Sequence, residues 1–181
     1  GTLNRKQNDW KLYRHDLELN QNNLILNDTS DTWIDNDAFL IPENLGSWSS
    51  RGGFSFAIMQ DGTIVWTSER DGFNHIYRSQ SDGRFINQVT RGNWEVNGIS
   101  AIDDKNEIIY FSAKKESELE NHIYSVRFNG SKLKRITREE GTHSGNFSPT
   151  TDYFIDSFSN ITTPPKVAVR SSAGNIKKVL A

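Results

Sequence analysis

The sequence predicts an all-β fold, and three observations carry that prediction. Short runs rich in β-branched and aromatic residues recur along the chain, each bounded by turn residues, the pattern expected of strands joined by hairpins. Helical periodicity is nearly absent: the best stretch, Lys114 to Leu119, is short and charged and reads better as a hairpin tip. The sequence also repeats itself. His75-Ile76-Tyr77 returns as His122-Ile123-Tyr124 and Val89-Thr90-Arg91 as Ile136-Thr137-Arg138, both at an offset of 47 residues.

Taken in order, the elements support one unit. Trp10 to Arg14 and Asn23 to Asn27 give a first, diverged copy. Thr63 to Thr67 and His75 to Arg78 form the second, and Glu107 to Ser112 and His122 to Val126 the third. Tyr153 to Asp156 and Lys166 to Arg170 form a fourth, in which Lys166-Val167-Ala168-Val169 stands where His-Ile-Tyr stood. Asp61-Gly62, Asp71-Gly72, Asp82-Gly83 and Asn129-Gly130 fall between these runs, and such pairs tolerate the positive φ that tight hairpins need. Eighteen Asn residues suit the many turns. A period of about 40–47 residues holding four short antiparallel strands indicates a β-propeller blade. The chain therefore reads as an arc of three to four four-stranded blades, at about 1–30, 54–92, 97–140 and 143–181. Residues 31–53 break the pattern and read as a long inter-blade excursion.

Composition narrows the function. The 181 residues include 21 Lys and Arg against 23 Asp and Glu, a net charge of −2. Mean hydropathy is −0.68. Ile, Val, Leu and Phe still make up 44 residues, about 24%, which is above the level of disordered chains. The absence of Cys excludes disulfide scaffolds and thiol catalysis. No basic run supplies a footprint for nucleic acid, and no apolar run is long enough to form a membrane-crossing helix.

At this point the residues resemble a known family. Residues 66–78 carry Ser68-Glu69-Arg70-Asp71-Gly72-Phe73 and His75-Ile76-Tyr77. Val89-Thr90, Gly92 and Trp94-Glu95-Val96 follow. Together they resemble a blade of the dipeptidyl peptidase IV branch of the prolyl oligopeptidase family. Asn4-Arg5, Gln7-Asn8 and Leu12-Tyr13 at the start, Thr29 to Trp33, and His143 to Pro149 are similar to further strands of that propeller. The resemblance implies a propeller of about eight blades capping an α/β-hydrolase domain that releases N-terminal dipeptides with a Ser-Asp-His triad. This chain would be the later blades only, non-catalytic, gating and positioning peptides for a hydrolase domain that begins near Ala181. The parent is expected to be bacterial and exported, periplasmic or cell-surface.

The chemistry of the parent is not legible in these residues. A nucleophile elbow requires Gly-x-Ser-x-Gly, which does not occur. The adjacent Glu139-Glu140 follows a blade end and reads as a turn, not as the family's paired glutamates. The repeat-equivalent His75 and His122 read as strand-bridging residues, His15 and His143 as surface or loop side chains. No metal site and no cofactor are expected: His spacing fits no metal motif, and the Asp28 to Asp37 acids lack the order of a calcium loop. Trp66 and Trp94 are expected to pack. Trp33, Phe39, Trp48 and Arg51, in or beside the excursion, are the candidates for lining substrate access, the last three by resemblance. The expected partners are the parent's hydrolase domain and its peptide substrate, with self-association of the arc through its uncovered ends. The alternative is a stand-alone propeller scaffold binding a protein or glycan.

Overall fold

The computed structural model describes residues 1–34 and 55–180, which form strands and turns with no helix. Four antiparallel sheets follow one another along the chain. The first contains β1 (Thr2–Leu3), β2 (Asp9–Asp16) and β3 (Gln21–Thr29). The second contains β4 (Phe56–Ile58), β5 (Ile64–Ser68), β6 (His75–Ser79) and β7 (Phe85–Gln88). The third contains β8 (Val96–Asp103), β9 (Ile108–Ala113), β10 (His122–Arg127) and β11 (Lys134–Arg135). The fourth contains β12 (Thr142–Phe147), β13 (Tyr153–Ser159), β14 (Lys166–Ser171) and β15 (Ile176–Val179). Each strand pairs with its sequence neighbour, the meander of a propeller blade, and the sheets do not close into a ring. Among the described residues the first sheet has three strands rather than four.

The register explains the repeat. His75 pairs with Ser68 and His122 with Ala113, so both open the third strand of their sheet. Lys166 opens the third strand of the fourth sheet opposite Phe158, as expected for the diverged copy. The turn glycines 62, 72, 83 and 130 all have positive φ, between 82° and 91°. Residues 114–121 connect β9 to β10 without a helix.

Apolar faces pack sheet on sheet. Trp10 and Leu26 meet Ile64, Trp66 and Tyr77 between the first and second sheets. A cluster of twelve buried apolar residues, with Trp94, Phe111 and Tyr124 stacked in sequence, fills the joint between the second and third. Ile123, Ile136 and Phe154 join the third to the fourth. Trp66 and Trp94 are core residues, as their strand and link positions predict.

Two backbone devices lock the sheets together. Asn74 accepts a hydrogen bond from the Val96 N–H at its main-chain oxygen (2.8 Å) and donates from Nδ2 to the Val96 carbonyl (2.6 Å). Asn121 grips His143 in the same way, at 2.8 and 2.7 Å. Each Asn thus ties the third strand of its own sheet to the first strand of the next. The second device is a glycine in the last turn of a sheet. A Cβ at Gly83, Gly130 or Gly174 would collide with the carbonyl of Ile25, Val89 or Ile136 of the preceding sheet.

Candidate functional site

The segment leaving β3 positions Trp33. Ser30 Oγ accepts from the Thr32 N–H (3.2 Å) and closes a tight turn. The Ile34 N–H bonds to the Gln7 carbonyl (2.6 Å), and Ile34 enters the core between the first two sheets. With Ile34 held inward, Trp33 is left 57% exposed. Phe39, Trp48 and Arg51 lie outside the described residues, so of the four access candidates the structure places Trp33 alone.

Polar side chains concentrate at the joints. Asp28 on β3 is buried and accepts from Ser68 Oγ (2.8 Å) and Arg70 (3.1 Å) of the second sheet. The Arg70 guanidinium lies 4.5 Å over the Trp66 ring and 5.2 Å from that of Tyr77. Tyr77 donates to Asp71 (2.7 Å), and burial together with that carboxylate pushes its phenol up. Tyr124 makes the equivalent bond to Glu116 in the next sheet.

The repeated histidines bridge strands. His75 Nδ1 lies 3.1 Å from Thr90 Oγ1, and its Nε2 donates to the Gly92 carbonyl (2.9 Å). His122 Nδ1 lies 3.1 Å from Thr137 Oγ1, and its Nε2 lies 2.9 Å from Glu120 Oε2. Each Thr hydroxyl also accepts the N–H of the residue after its histidine, Ile76 or Ile123. Burial pushes both imidazoles below the usual histidine value. The hydrogen bond from His122 holds the Glu120 carboxyl down.

His143 departs from expectation. It is fully buried on β12, not on a surface or loop, because Asn121 fixes its backbone at the joint and its ring turns into the sheet. Nδ1 lies 3.0 Å from both Asp156 oxygens, and Nε2 donates to the Glu139 carbonyl (2.9 Å). Arg170 donates to Asp156 (2.7 Å) and pairs with Glu139 (2.9 Å). Burial pushes Glu139 up, but its backbone hydrogen bonds and Arg170 hold its carboxyl below the usual value. A His–Asp pair is two-thirds of a hydrolytic triad, yet this ring spends Nε2 on a backbone carbonyl, where a triad needs a nucleophile's hydroxyl. It is a structural pair. Among the described residues no cluster of His, Asp and Glu is arranged to hold a metal.

Residues 1–165 match the family described as the dipeptidyl peptidase IV (DPP IV) N-terminal region. The chain belongs to this family. A dipeptidyl peptidase 4 of Arthroderma otae is 29% identical over 139 residues, covering 76% of this chain and 16% of that protein. A probable dipeptidyl-aminopeptidase B of Colletotrichum graminicola is 38% identical over 102 residues, 55% of this chain and 11% of that protein. The crystal structure of Porphyromonas gingivalis dipeptidyl peptidase 4 superposes with a TM-score of 0.84 at 27% identity, covering 99% of this chain and 23% of that one. A putative dipeptidyl aminopeptidase IV from Bacteroides ovatus shares the fold, with a TM-score of 0.73 at 20% identity over 99% of this chain and 26% of that one. The chain thus spans a small part of each relative, and within the DPP IV N-terminal region it supplies consecutive propeller sheets. Sequence reading missed two features of this region, the Asn clamps and the His143–Asp156–Arg170 cluster. The first had a signal, since the 47-residue repeat extends one residue back to Asn74 and Asn121; the second occurs in a single sheet and had none.

Proposed function

We propose that this chain is the non-catalytic propeller segment of a DPP IV-like serine exopeptidase. In that role it restricts access to short peptides and positions them for a hydrolase domain elsewhere in the parent. The observation that carries this reading is the match of residues 1–165 to the DPP IV N-terminal region, accompanied by the superposition on the P. gingivalis enzyme across 99% of the chain. The names of the relatives describe enzymes that remove dipeptides, and the reading extends that activity to the parent alone. The local chemistry is consistent with a supporting role. The histidines on sheet strands are committed to strand-bridging or ion-pair contacts, and the sequence has no nucleophile elbow. In this reading Trp33, whose exposure is compatible with the role, is a candidate to meet a peptide.

The test is turnover of a Gly-Pro chromogenic dipeptide by the purified 181-residue chain and by a parent polypeptide whose reading frame continues into Gly-x-Ser-x-Gly. The chain is expected to be inactive and the parent active and blocked by a serine-reactive inhibitor. Inhibitor-sensitive turnover by the chain alone refutes the non-catalytic assignment, and an inactive, well-folded parent refutes the exopeptidase assignment.

A further inference from the structure

The three joints between neighbouring sheets are built differently. The first two are closed by large buried apolar clusters. Among the described residues the third has a smaller cluster, Ile123, Ile136 and Phe154, with Phe147 packed against them and against Tyr110. Six ionisable side chains occupy the rest of that joint: Glu120 and His122 from the third sheet's side, Glu139 from the link, and His143, Asp156 and Arg170 from the fourth. Beside them a cleft of about 430 Å³ opens between Glu139 and the Phe158, Lys166 and Ala168 face of the fourth sheet. Among the described residues this joint therefore has the smallest buried apolar cluster and the most ionisable groups.

Hydrogen-bond inventory assigns the protons. The Thr137 hydroxyl accepts the Ile123 N–H (3.1 Å), so its own proton points to His122 Nδ1, and the ring carries its single proton on Nε2 toward Glu120. His143 faces a carbonyl at Nε2 and a carboxylate at Nδ1, and both groups only accept. Arg170 on the same carboxylate keeps Asp156 an acceptor, so both ring nitrogens of His143 carry protons. His143 and Arg170 then balance Asp156 and Glu139, a set of four charges summing to zero in which Glu139 alone reaches the cleft and solvent. The His122 and His143 rings lie 5.2 Å apart, one on each side of the joint.

We propose that the joint between the third and fourth sheets is an acid-released hinge, in which proton uptake at His122, facing the His143 imidazolium, separates the fourth sheet while the other two joints hold. A second imidazolium at His122 is opposed first by burial and then by Arg135 on β11 and His143 on β12, and is favoured by Glu120 on its own hairpin. Asp156, Glu139 and Arg170 are already paired among themselves. The neutral ring is thus the form that the closed joint retains. His75 is the internal control. It occupies the same repeat position with the same Thr partner, but its ring meets Trp94 edge-on at 5.1 Å, and the charged groups around it, Asp71 and Glu95, are anionic. Protonation there meets no opposing cation across the joint.

Hydrogen exchange of the full 181-residue chain between pH 7.5 and 5, expressed as protection factors, reads this out. On acidification, protection of β12 to β15 is expected to fall at least tenfold further than that of β5 and β6. In His122→Gln, which cannot take up the proton, the fourth sheet is expected to keep its protection at pH 5. Uniform loss in all sheets, no pH dependence in the fourth sheet, or loss that persists in His122→Gln overturns the proposal. If His122→Gln does not fold at pH 7.5, the imidazole nitrogen shifts of the wild-type chain decide: the His122 midpoint must coincide with the loss of protection, and a separation of more than one pH unit overturns the hinge.

Discussion

Replacing Gly83 by Ala separates two effects that a turn glycine usually combines. Gly83 and Gly72 have nearly the same φ, +88° and +91°. An Ala at either site therefore bears the same left-handed strain, about 1–2 kcal/mol, and the same opposing gain of about 0.4–1 kcal/mol from a stiffer unfolded chain. Their surroundings differ. A Cβ at Gly72 meets nothing within 4 Å, whereas one at Gly83 falls 2.7 Å from the Ile25 carbonyl carbon, with the oxygen closer still. Ordinary contact begins near 3.4 Å, so the first and second sheets must separate by at least about 0.7 Å. That displacement acts on the interface where Trp10 and Leu26 pack against Trp66 and Tyr77. Overpacking of this kind costs about 1–3 kcal/mol beyond the strain. For a chain of this size each kcal/mol moves the melting temperature by about 2–4 °C. Gly72→Ala is thus expected to melt within a few degrees of wild type, and Gly83→Ala about 2–12 °C lower still, in parallel scanning calorimetry. Equal destabilisation of the two variants refutes the argument that this turn is pressed against the preceding sheet.

Acidification should destabilise the chain through His75 as well as His122. Both folded-state values lie below the unfolded one, so the unfolded chain binds protons first; the stability they contribute is complete above about pH 6.5 and is lost as pH falls toward the folded values, which urea midpoints at pH 7.5 and 5.5 will show. Asp156→Asn leaves Arg170 and His143 buried without their shared carboxylate and should cost about 3–5 kcal/mol by urea denaturation, whereas Asp82→Asn, at an exposed pair with Arg84, should cost under about 1 kcal/mol. Asn121→Ala removes one arm of the clamp on His143 and should cost about 1–3 kcal/mol, with the loss of protection concentrated in β12. The face of the fourth sheet turned away from the third carries Tyr153 and Ile155, 49% and 43% exposed, and self-association through such a surface should appear as a concentration-dependent sedimentation coefficient at micromolar concentrations.

Much of this fold was legible because its information is local and repeated. Asp-Gly and Asn-Gly pairs announce positive φ in two letters, and Ile76-Tyr77 and Ile123-Tyr124 carry the alternation of a strand buried on both faces. The third strand of the fourth sheet was readable even as Lys166 to Val169, since register follows from strand spacing rather than residue identity. The joints were less legible. Asp28 pairs with residues 40 and 42 positions away, and nothing in its neighbourhood distinguishes a joint carboxylate from a turn aspartate. His143 was misread for the same reason: its environment is assembled by Asn121, Glu139 and Asp156, from three different elements.

The two classes of joint suggest why a propeller would spend charge where apolar packing is available. A buried ion set is weak evidence for stability, since well-packed apolar residues of similar volume often do as well or better. What such a set does supply is a geometry that fails abruptly when one charge changes, because removing or adding a proton leaves a buried charge uncompensated. The Asp28–Ser68–Arg70 set is built differently: it contains no imidazole, and its guanidinium is stacked on Trp66 and Tyr77 within an otherwise apolar joint. At the third joint the apolar cluster is smaller, and the His122 imidazole sits opposite the His143 imidazolium, so its ion pairs give a contact whose strength depends on a single proton.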